Sequence, residues 1–188
     1  TTIYEKGAEL IRMLELLLGH KSFMRGIKFY IDTFDGRAAT TEDFLNAIFK
    51  GANLHKNNCS FNIDKFQNWY YKSGTPEVFI KQSWDQDNSI LNVSFEQKLD
   101  GSTSNNNIEM VIPILYSCYS SENEPKTIVE EDLFVLDKNK KNLQIKALSD
   151  EKVAPVLSIF RNFSSPVLWE SHLSIADHLF LFLYDNDY

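Results

Sequence analysis

The chain has 188 residues and a formal net charge of −7, from 19 basic and 26 acidic side chains. An acidic chain is not typical of nucleic-acid binders, which carry a clustered basic face for the phosphates, so no nucleic-acid partner is expected. Hydrophobic residues make up 43% of the sequence, enough to bury a core. The longest apolar run, residues 179–184, is far shorter than the roughly 18 residues that a membrane span needs, so no membrane partner is expected.

The first third of the chain has the three- and four-residue hydrophobic spacing of short helices. Four such stripes begin at residues 10, 23, 44 and 63 and predict four helices. The first helix is expected over about residues 5–18, and Gly19 ends it because glycine enters the left-handed conformation at low cost. The cluster at residues 40–43 (TTED) precedes the third stripe and predicts an N-cap hydroxyl, with carboxylates in the first turn of the helix.

From Thr75 the hydrophobic period changes to the near-alternation of β-strands. Polar turns separate six β-branched or aromatic runs, which are 78–80, 90–95, 110–112, 114–116, 133–136 and 143–145. No helical stripe lies between them, which favours an antiparallel sandwich over a doubly wound sheet. After residue 169 the helical period returns, with Ser174 as a candidate cap. The apolar positions of this last helix are Leu179, Phe180, Leu183 and Tyr184.

The sequence contains no complete catalytic or metal-binding motif. The four histidines are His20, His55, His172 and His178, and no two have the HExxH spacing. Phosphate-loop, dinucleotide-binding and serine-elbow motifs are also absent. Cys59 has no neighbouring histidine, so it is a weak nucleophile candidate. Cys59 and Cys118 form no CxxC pair, so a reduced, cytoplasmic protein is expected, although one disulfide between them stays open.

Several segments nevertheless resemble one family when they are taken in order. These segments are residues 2–14 (TIYEKGAELIRML), 34–40 (FDGRAAT), 43–44 (DF), 66–70 (FQNWY), 73–76 (SGTP) and 161–167 (RNFSSPV). Together they closely resemble the zinc metallopeptidases of the aminopeptidase N family, and the last segment resembles the bacterial-type branch. Residues 81–154 match weakly, so the strand prediction stands alone there.

The resemblance implies an α+β architecture in three parts. Residues 1–74 would be the helical C-terminal part of a thermolysin-like catalytic domain, 75–170 a β-sandwich domain, and 171–188 the start of a truncated α-helical domain. The family's HExxH zinc motif and its GxMEN motif would lie upstream of Thr1. The resemblance therefore implies zinc as the cofactor of a parent enzyme, with no ligand and no independent activity in this chain. No stoichiometric zinc is expected on the isolated chain.

The catalytic residue that the resemblance implies is Tyr4. In the family, the matching tyrosine donates a hydrogen bond to the oxyanion formed when zinc-bound water attacks the scissile carbonyl. From the residues alone, Tyr4 also fits an interfacial aromatic at a helix start. Gly7 is either a tolerated helix glycine or a point of close backbone approach near an active site. Glu5 and Lys6 are interpreted as solvated or ion-paired groups.

The predicted function is thus that of a fragment of a zinc-dependent aminopeptidase, which removes N-terminal residues from peptides. The alternative is a non-catalytic scaffold or protein-interaction module on the same fold, and the presence of Tyr4 favours the enzyme. A free-standing lectin-like sandwich does not explain the helical start. The apolar first and last helices predict that the isolated chain self-associates.

Overall fold

The structure is a computed structural model that describes residues 2–53, 61–99, 108–120, 125–147 and 152–187. Its helices are α1 (Thr2–Leu18), α2 (His20–Phe34), α3 (Thr41–Gly51), α4 (Ile63–Phe66), α5 (Asn68–Tyr71) and α6 (Ile175–Tyr184), with a 3-10 turn at Arg161–Phe163. Its strands are β1 (Pro76–Asp85), β2 (Ile90–Leu99), β3 (Ile112–Ser120), β4 (Lys126–Leu136), β5 (Lys140–Lys146), β6 (Val156–Ile159) and β7 (Leu168–Ser171). The chain forms two compact units, Thr1–Asp64 and Lys65–Tyr188.

The first unit begins with α1, which starts three residues before the predicted helix and ends before Gly19, as expected. Gly19 has a φ of 72°, which favours glycine, but its ψ of 146° lies outside the left-handed helical conformation that was predicted there. The buried side chains of α1 are Leu10, Met13 and Leu14. Residue 13 lies on the same helix face as residues 10 and 14. Met13 therefore belongs to the buried face of α1, although the predicted stripe of leucine and isoleucine did not include it.

Helix α3 begins with the predicted cap. The Asp43 amide donates to Thr40 Oγ1 at 3.1 Å, and the Thr40 amide donates to Asp43 Oδ2 at 2.9 Å. This reciprocal pair satisfies amides that have no partner within the helix. The backbone and side-chain hydrogen bonds from Thr40 also lower the pKa of the Asp43 carboxyl.

The fourth predicted helix is two short helices, α4 and α5. Side-chain hydrogen bonds hold α5 to the segment before β3. Asn68 Nδ2 donates to the Glu109 carbonyl at 2.9 Å, and the indole Nε1 of Trp69 donates to the Val111 carbonyl at 2.8 Å. Trp69 is 2% exposed. These long-range bonds fix α5 in place, and the helical spacing alone could not indicate them.

The strands of the second unit form two sheets, with orders β5-β2-β1-β7 and β4-β3-β6. The pairs β1–β2, β2–β5, β3–β4 and β3–β6 are antiparallel, as predicted, but β1 and β7 pair in parallel. Parallel neighbours need a long crossover connection, and here every other strand lies between β1 and β7 in the sequence. The predicted antiparallel sandwich is therefore confirmed, with β1 and β7 as a parallel pair at one edge.

Strand β3 begins at Ile112, the last residue of the predicted run 110–112, and continues across Pro113 through the run 114–116. Pro113 is tolerated because it lies near the start of β3, before residues 116–119, which pair with β6. The sequence did not predict β6 or β7, since a four-residue strand offers too few alternations to detect. Across the core, the rings of Phe95 and Phe134 stack at 4.8 Å between centroids. The antiparallel pairs and the helical start confirm the α+β class.

Helix α6 also begins with a predicted cap. The Asp177 amide donates to Ser174 Oγ at 3.1 Å, and the Ser174 amide donates to Asp177 Oδ2 at 2.8 Å. The fully buried apolar residue of α6 is Leu181, whereas Leu179 and Leu183 are 58% and 67% exposed. Most of the apolar surface of this helix is thus exposed, which agrees with the expectation that the chain alone does not bury it.

Candidate functional site

Tyr4 lies near the start of α1, and its side chain is 85% exposed. The neighbouring Glu5 and Lys6 are exposed as well, in keeping with their interpretation as solvated groups. The helix that carries Tyr4 is anchored from Leu10 onward, where its buried face begins. The hydroxyl of Tyr4 is thus presented to solvent from a regular helix.

Gly7 lies one turn after Tyr4. A Cβ atom built at Gly7 meets nothing within 4 Å in the described part of the chain. The close backbone approach that was one interpretation of Gly7 therefore has no partner among the described residues. A tolerated helix glycine accounts for what the structure shows.

The other candidates do not come together. His20 Nδ1 lies 2.6 Å from Glu15 Oε1 in an exposed pair, and Cys118 is buried in β3. His55 and Cys59 lie outside the described residues. Among those described, no three His, Cys, Asp or Glu side chains are placed to hold a metal ion. These residues do not fit a zinc site, so no chemical step is assigned to a metal held by them.

A partly buried charge cluster, which the sequence did not indicate, joins β3, β4, the 3-10 turn and the residue after α6. We call Arg161, Asp185, Tyr119 and Glu131 the Arg161 cluster. The Arg161 side chain is 11% exposed and pairs with Asp185, whose side chain is 0% exposed. Arg161 Nε also donates to Glu131 Oε2 at 3.2 Å, and Tyr119 Oη donates to Asp185 Oδ1 at 3.3 Å.

The charges of the Arg161 cluster support one another. Burial alone would raise the pKa of Asp185, but hydrogen bonds from Ser158 and Arg161 outweigh burial and lower it. Burial would likewise lower the pKa of Arg161, yet its hydrogen bonds to Asp185 and Glu131 raise it. Burial raises the pKa of Tyr119. The shifts of Asp185 and Arg161 favour the ionised pair, and the raised pKa of Tyr119 keeps its hydroxyl protonated as a hydrogen-bond donor.

Two family models match adjoining parts of the chain. The peptidase family M1 domain matches residues 1–70, and the domain of unknown function (DUF3458) with an Ig-like fold matches residues 74–172. The chain belongs to the aminopeptidase N family, peptidase family M1. This confirms the resemblance carried by the motifs, and the Ig-like description agrees with the two sheets of the second unit. No described helix is long and apolar enough to cross a membrane.

Relatives match over nearly the whole chain. Aminopeptidase N of Haemophilus influenzae is 31% identical over 88% of this chain and 19% of its own length. Aminopeptidase N of Caulobacter vibrioides is 30% identical over 99% of this chain and 20% of its own length. The crystal structure of Legionella pneumophila aminopeptidase A in complex with aspartic acid superimposes with a TM-score of 0.82 at 25% identity, over 97% of this chain and 19% of that one. This M1 chain thus spans about a fifth of the length of these relatives.

Proposed function

We propose that this M1 chain is part of a zinc-dependent aminopeptidase that hydrolyses N-terminal residues from peptides. The observation that carries the proposal is the match to aminopeptidase N relatives along almost the whole chain. Zinc, in the complete enzyme, would polarise the peptide carbonyl and activate water. Its ligands would come from residues outside this chain. A cytoplasmic location is also part of the proposal and rests on the cysteine content alone.

The contribution of this chain to catalysis would come from Tyr4. A phenol hydroxyl aimed at the developing oxyanion stabilises its negative charge in the transition state without giving up the proton. Such a donor is effective only if it is positioned before the reaction. The regular helix α1, with its buried face at Leu10, Met13 and Leu14, supports that role by fixing the backbone beneath Tyr4.

Each of the three parts of the chain would belong to a different domain of the complete enzyme. Residues 1–74 would be the helical end of the catalytic domain, 75–170 the β-sandwich domain, and 171–188 the start of an α-helical domain. The adjoining family matches at 1–70 and 74–172 support this division. The exposed apolar side chains of α6 would then be covered by further helices in the complete enzyme.

The test is Tyr4→Phe in the complete zinc-loaded enzyme, assayed on peptides with a free amino terminus. Loss of one oxyanion donor is expected to lower kcat by roughly 100- to 1000-fold, with a much smaller change in KM. Tyr30→Phe is the matched control, because the Tyr30 ring packs edge-on against Phe44 at 5.1 Å within the helical core. Its kcat is expected to stay within about twofold of the parent enzyme.

Two outcomes would contradict the proposal. A kcat for Tyr4→Phe within about threefold of the parent value would remove Tyr4 from the catalytic machinery. A complete, zinc-loaded protein that hydrolyses no peptide would favour the scaffold or interaction module.

A further inference from the structure

The segment before β7 contains an unusual concentration of left-handed backbone. Phe160, Asn162 and Phe163 have φ values of 55°, 51° and 48°. Asparagine tolerates this conformation, but a phenylalanine pays a steric penalty because its Cβ approaches the following carbonyl oxygen. Two phenylalanines within four residues therefore need an external constraint to stay there.

The side chain of Phe163 cannot supply this constraint, because it is 83% exposed. Phe160 is 9% exposed, and its ring stacks on that of Trp169 at 5.8 Å between centroids. The two aspartates that follow α6 constrain the rest of the loop. Asp187 Oδ2 accepts the Asn162 amide at 2.7 Å. Asp185 accepts the guanidinium of Arg161, and both of these side chains are nearly or fully buried. The loop at 160–163 is thus held by residues at the end of a helix more than twenty positions further along the chain.

Helix α6 and the loop also share a support in β3. The Phe180 ring of α6 lies 6.2 Å from the Tyr119 ring, and the Tyr119 hydroxyl contacts both Arg161 and Asp185 at 3.3 Å. Leu181 is the next residue of α6 and is completely buried, so it anchors the helix near Tyr119. Displacement of α6 would therefore break the contacts that hold the loop.

We propose that Asp185 and Asp187 form a clasp through which the docking of α6 imposes the left-handed conformation of Phe160, Asn162 and Phe163 and holds Phe163 outward. When α6 is docked, the clasp is closed and the loop is strained. When α6 moves away, the carboxylates leave with it and the phenylalanines relax to ordinary backbone angles. The position of an exposed aromatic side chain thereby depends on the docking of a helix.

The first test displaces α6 without touching the clasp. Leu181→Ala removes the buried anchor of the helix, and Leu183→Ala is the matched control, since Leu183 is on the same helix but 67% exposed. Hydrogen exchange is measured at the Asn162 amide and at the Ser164 amide, which donates to the Arg161 carbonyl at 3.0 Å. Leu181→Ala is expected to speed exchange at both by about tenfold or more, while Leu183→Ala and the β1–β2 amides stay within about twofold.

The second test opens the clasp and then relieves the strain. Asp185→Asn is expected to speed exchange at Ser164 by about tenfold. Adding Phe163→Gly is expected to bring that increase below about threefold, because glycine adopts the left-handed conformation freely. Adding Phe163→Ala removes the same ring but keeps the Cβ, so it is expected to give no rescue.

Several results would overturn the clasp. These are unchanged exchange at Ser164 in a folded Leu181→Ala or Asp185→Asn chain, equal acceleration in the β1–β2 ladder, and equal rescue by glycine and alanine at position 163. If both variants fail to fold, Asp187→Ala decides, because Asp187 is exposed. It is expected to speed exchange at Ser164 by about threefold or more, and a rate equal to that of the unaltered chain would overturn the proposal.

Discussion

The crossing of α2 and α3 makes a sharp prediction about one glycine. A Cβ atom added at Gly26 would lie 2.6 Å from the carbonyl oxygen of Ile48 and 2.9 Å from its Cα. Both are backbone atoms of α3, so a side-chain rotation cannot relieve the overlap. Gly26→Ala should therefore push the two helices apart and loosen the helical unit.

The size of the effect follows from two opposing contributions. Overpacking a well-filled contact costs about 1–3 kcal/mol, and an overlap with backbone belongs at the upper end. Alanine regains about 1 kcal/mol of helix propensity relative to glycine. The expected net loss for Gly26→Ala is therefore about 2 kcal/mol. For a unit of the size of Thr1–Asp64, such a loss lowers Tm by roughly 8–16 °C.

Gly7→Ala is the matched control, since it is the same substitution in the interior of another helix of the same unit. A Cβ at Gly7 meets nothing within 4 Å, so only the helix propensity changes, and stability should rise by up to about 1 kcal/mol. Unfolding is followed by circular dichroism at the helical signal. Tryptophan fluorescence reports the other unit separately, because Trp69, Trp84 and Trp169 all lie in residues 65–188.

The two substitutions should move the helical transition in opposite directions. If Gly26→Ala stabilises the chain as much as Gly7→Ala does, the close crossing of α2 and α3 is wrong. If Gly7→Ala destabilises it, some part of the chain approaches Gly7 more closely than the described residues do.

Three further predictions concern the second unit. Trp69→Phe leaves the buried Val111 carbonyl without its indole donor, and is expected to lower the free energy of unfolding by about 1–3 kcal/mol in urea titrations. The pKa of Asp185 is lower in the folded chain than its unfolded value of about 3.9. Its ionised form therefore stabilises the fold above the unfolded pKa, and this stability is lost as the pH falls through the folded pKa. In acid titrations, Asp185→Asn should lose less free energy of unfolding over this pH range than the unaltered chain does. Phe182 and Leu183 are 73% and 67% exposed on α6, so sedimentation should show the chain self-associating, and changing both to Glu should restore a monomer.

Each of these three predictions can fail clearly. Equal urea midpoints for Trp69→Phe and the unaltered chain would remove the indole hydrogen bond as a source of stability. Identical acid unfolding of Asp185→Asn would mean that the ionised carboxylate contributes nothing. Sedimentation of the unaltered chain as a monomer at high concentration would contradict the exposed apolar face of α6 as a contact surface.

Tyr4 illustrates how much of a site can be predicted from the sequence of this chain. An exposed tyrosine leaves no periodic or spacing signal, so only the surrounding motif YEKGAE indicated a role for it. Nothing in its local physics distinguishes a catalytic phenol from any other helix-start aromatic. The Arg161 cluster was missed for a related reason. Arg161 and Asp185 are 24 residues apart, and no local rule pairs an arginine with a carboxylate at that separation.

The features that the sequence determined by itself depend on residues that are close together along the chain. The caps at Thr40 and Ser174 depend on hydrogen bonds that span three residues, and their side chains carry that information directly. The alternating strands β1 and β2 follow equally from a pattern within ten residues.

The tertiary structure decided what depends on partners far along the chain. It set the parallel edge of β7 against β1, because a four-residue strand takes its direction from the neighbour it pairs with. It also selected Leu181 as the buried residue of α6 and buried Asp185, which follows that helix. Residues 179–184 are a continuous apolar run, so only the docking of the helix beside β6 and Tyr119 distinguishes one of its apolar positions from another.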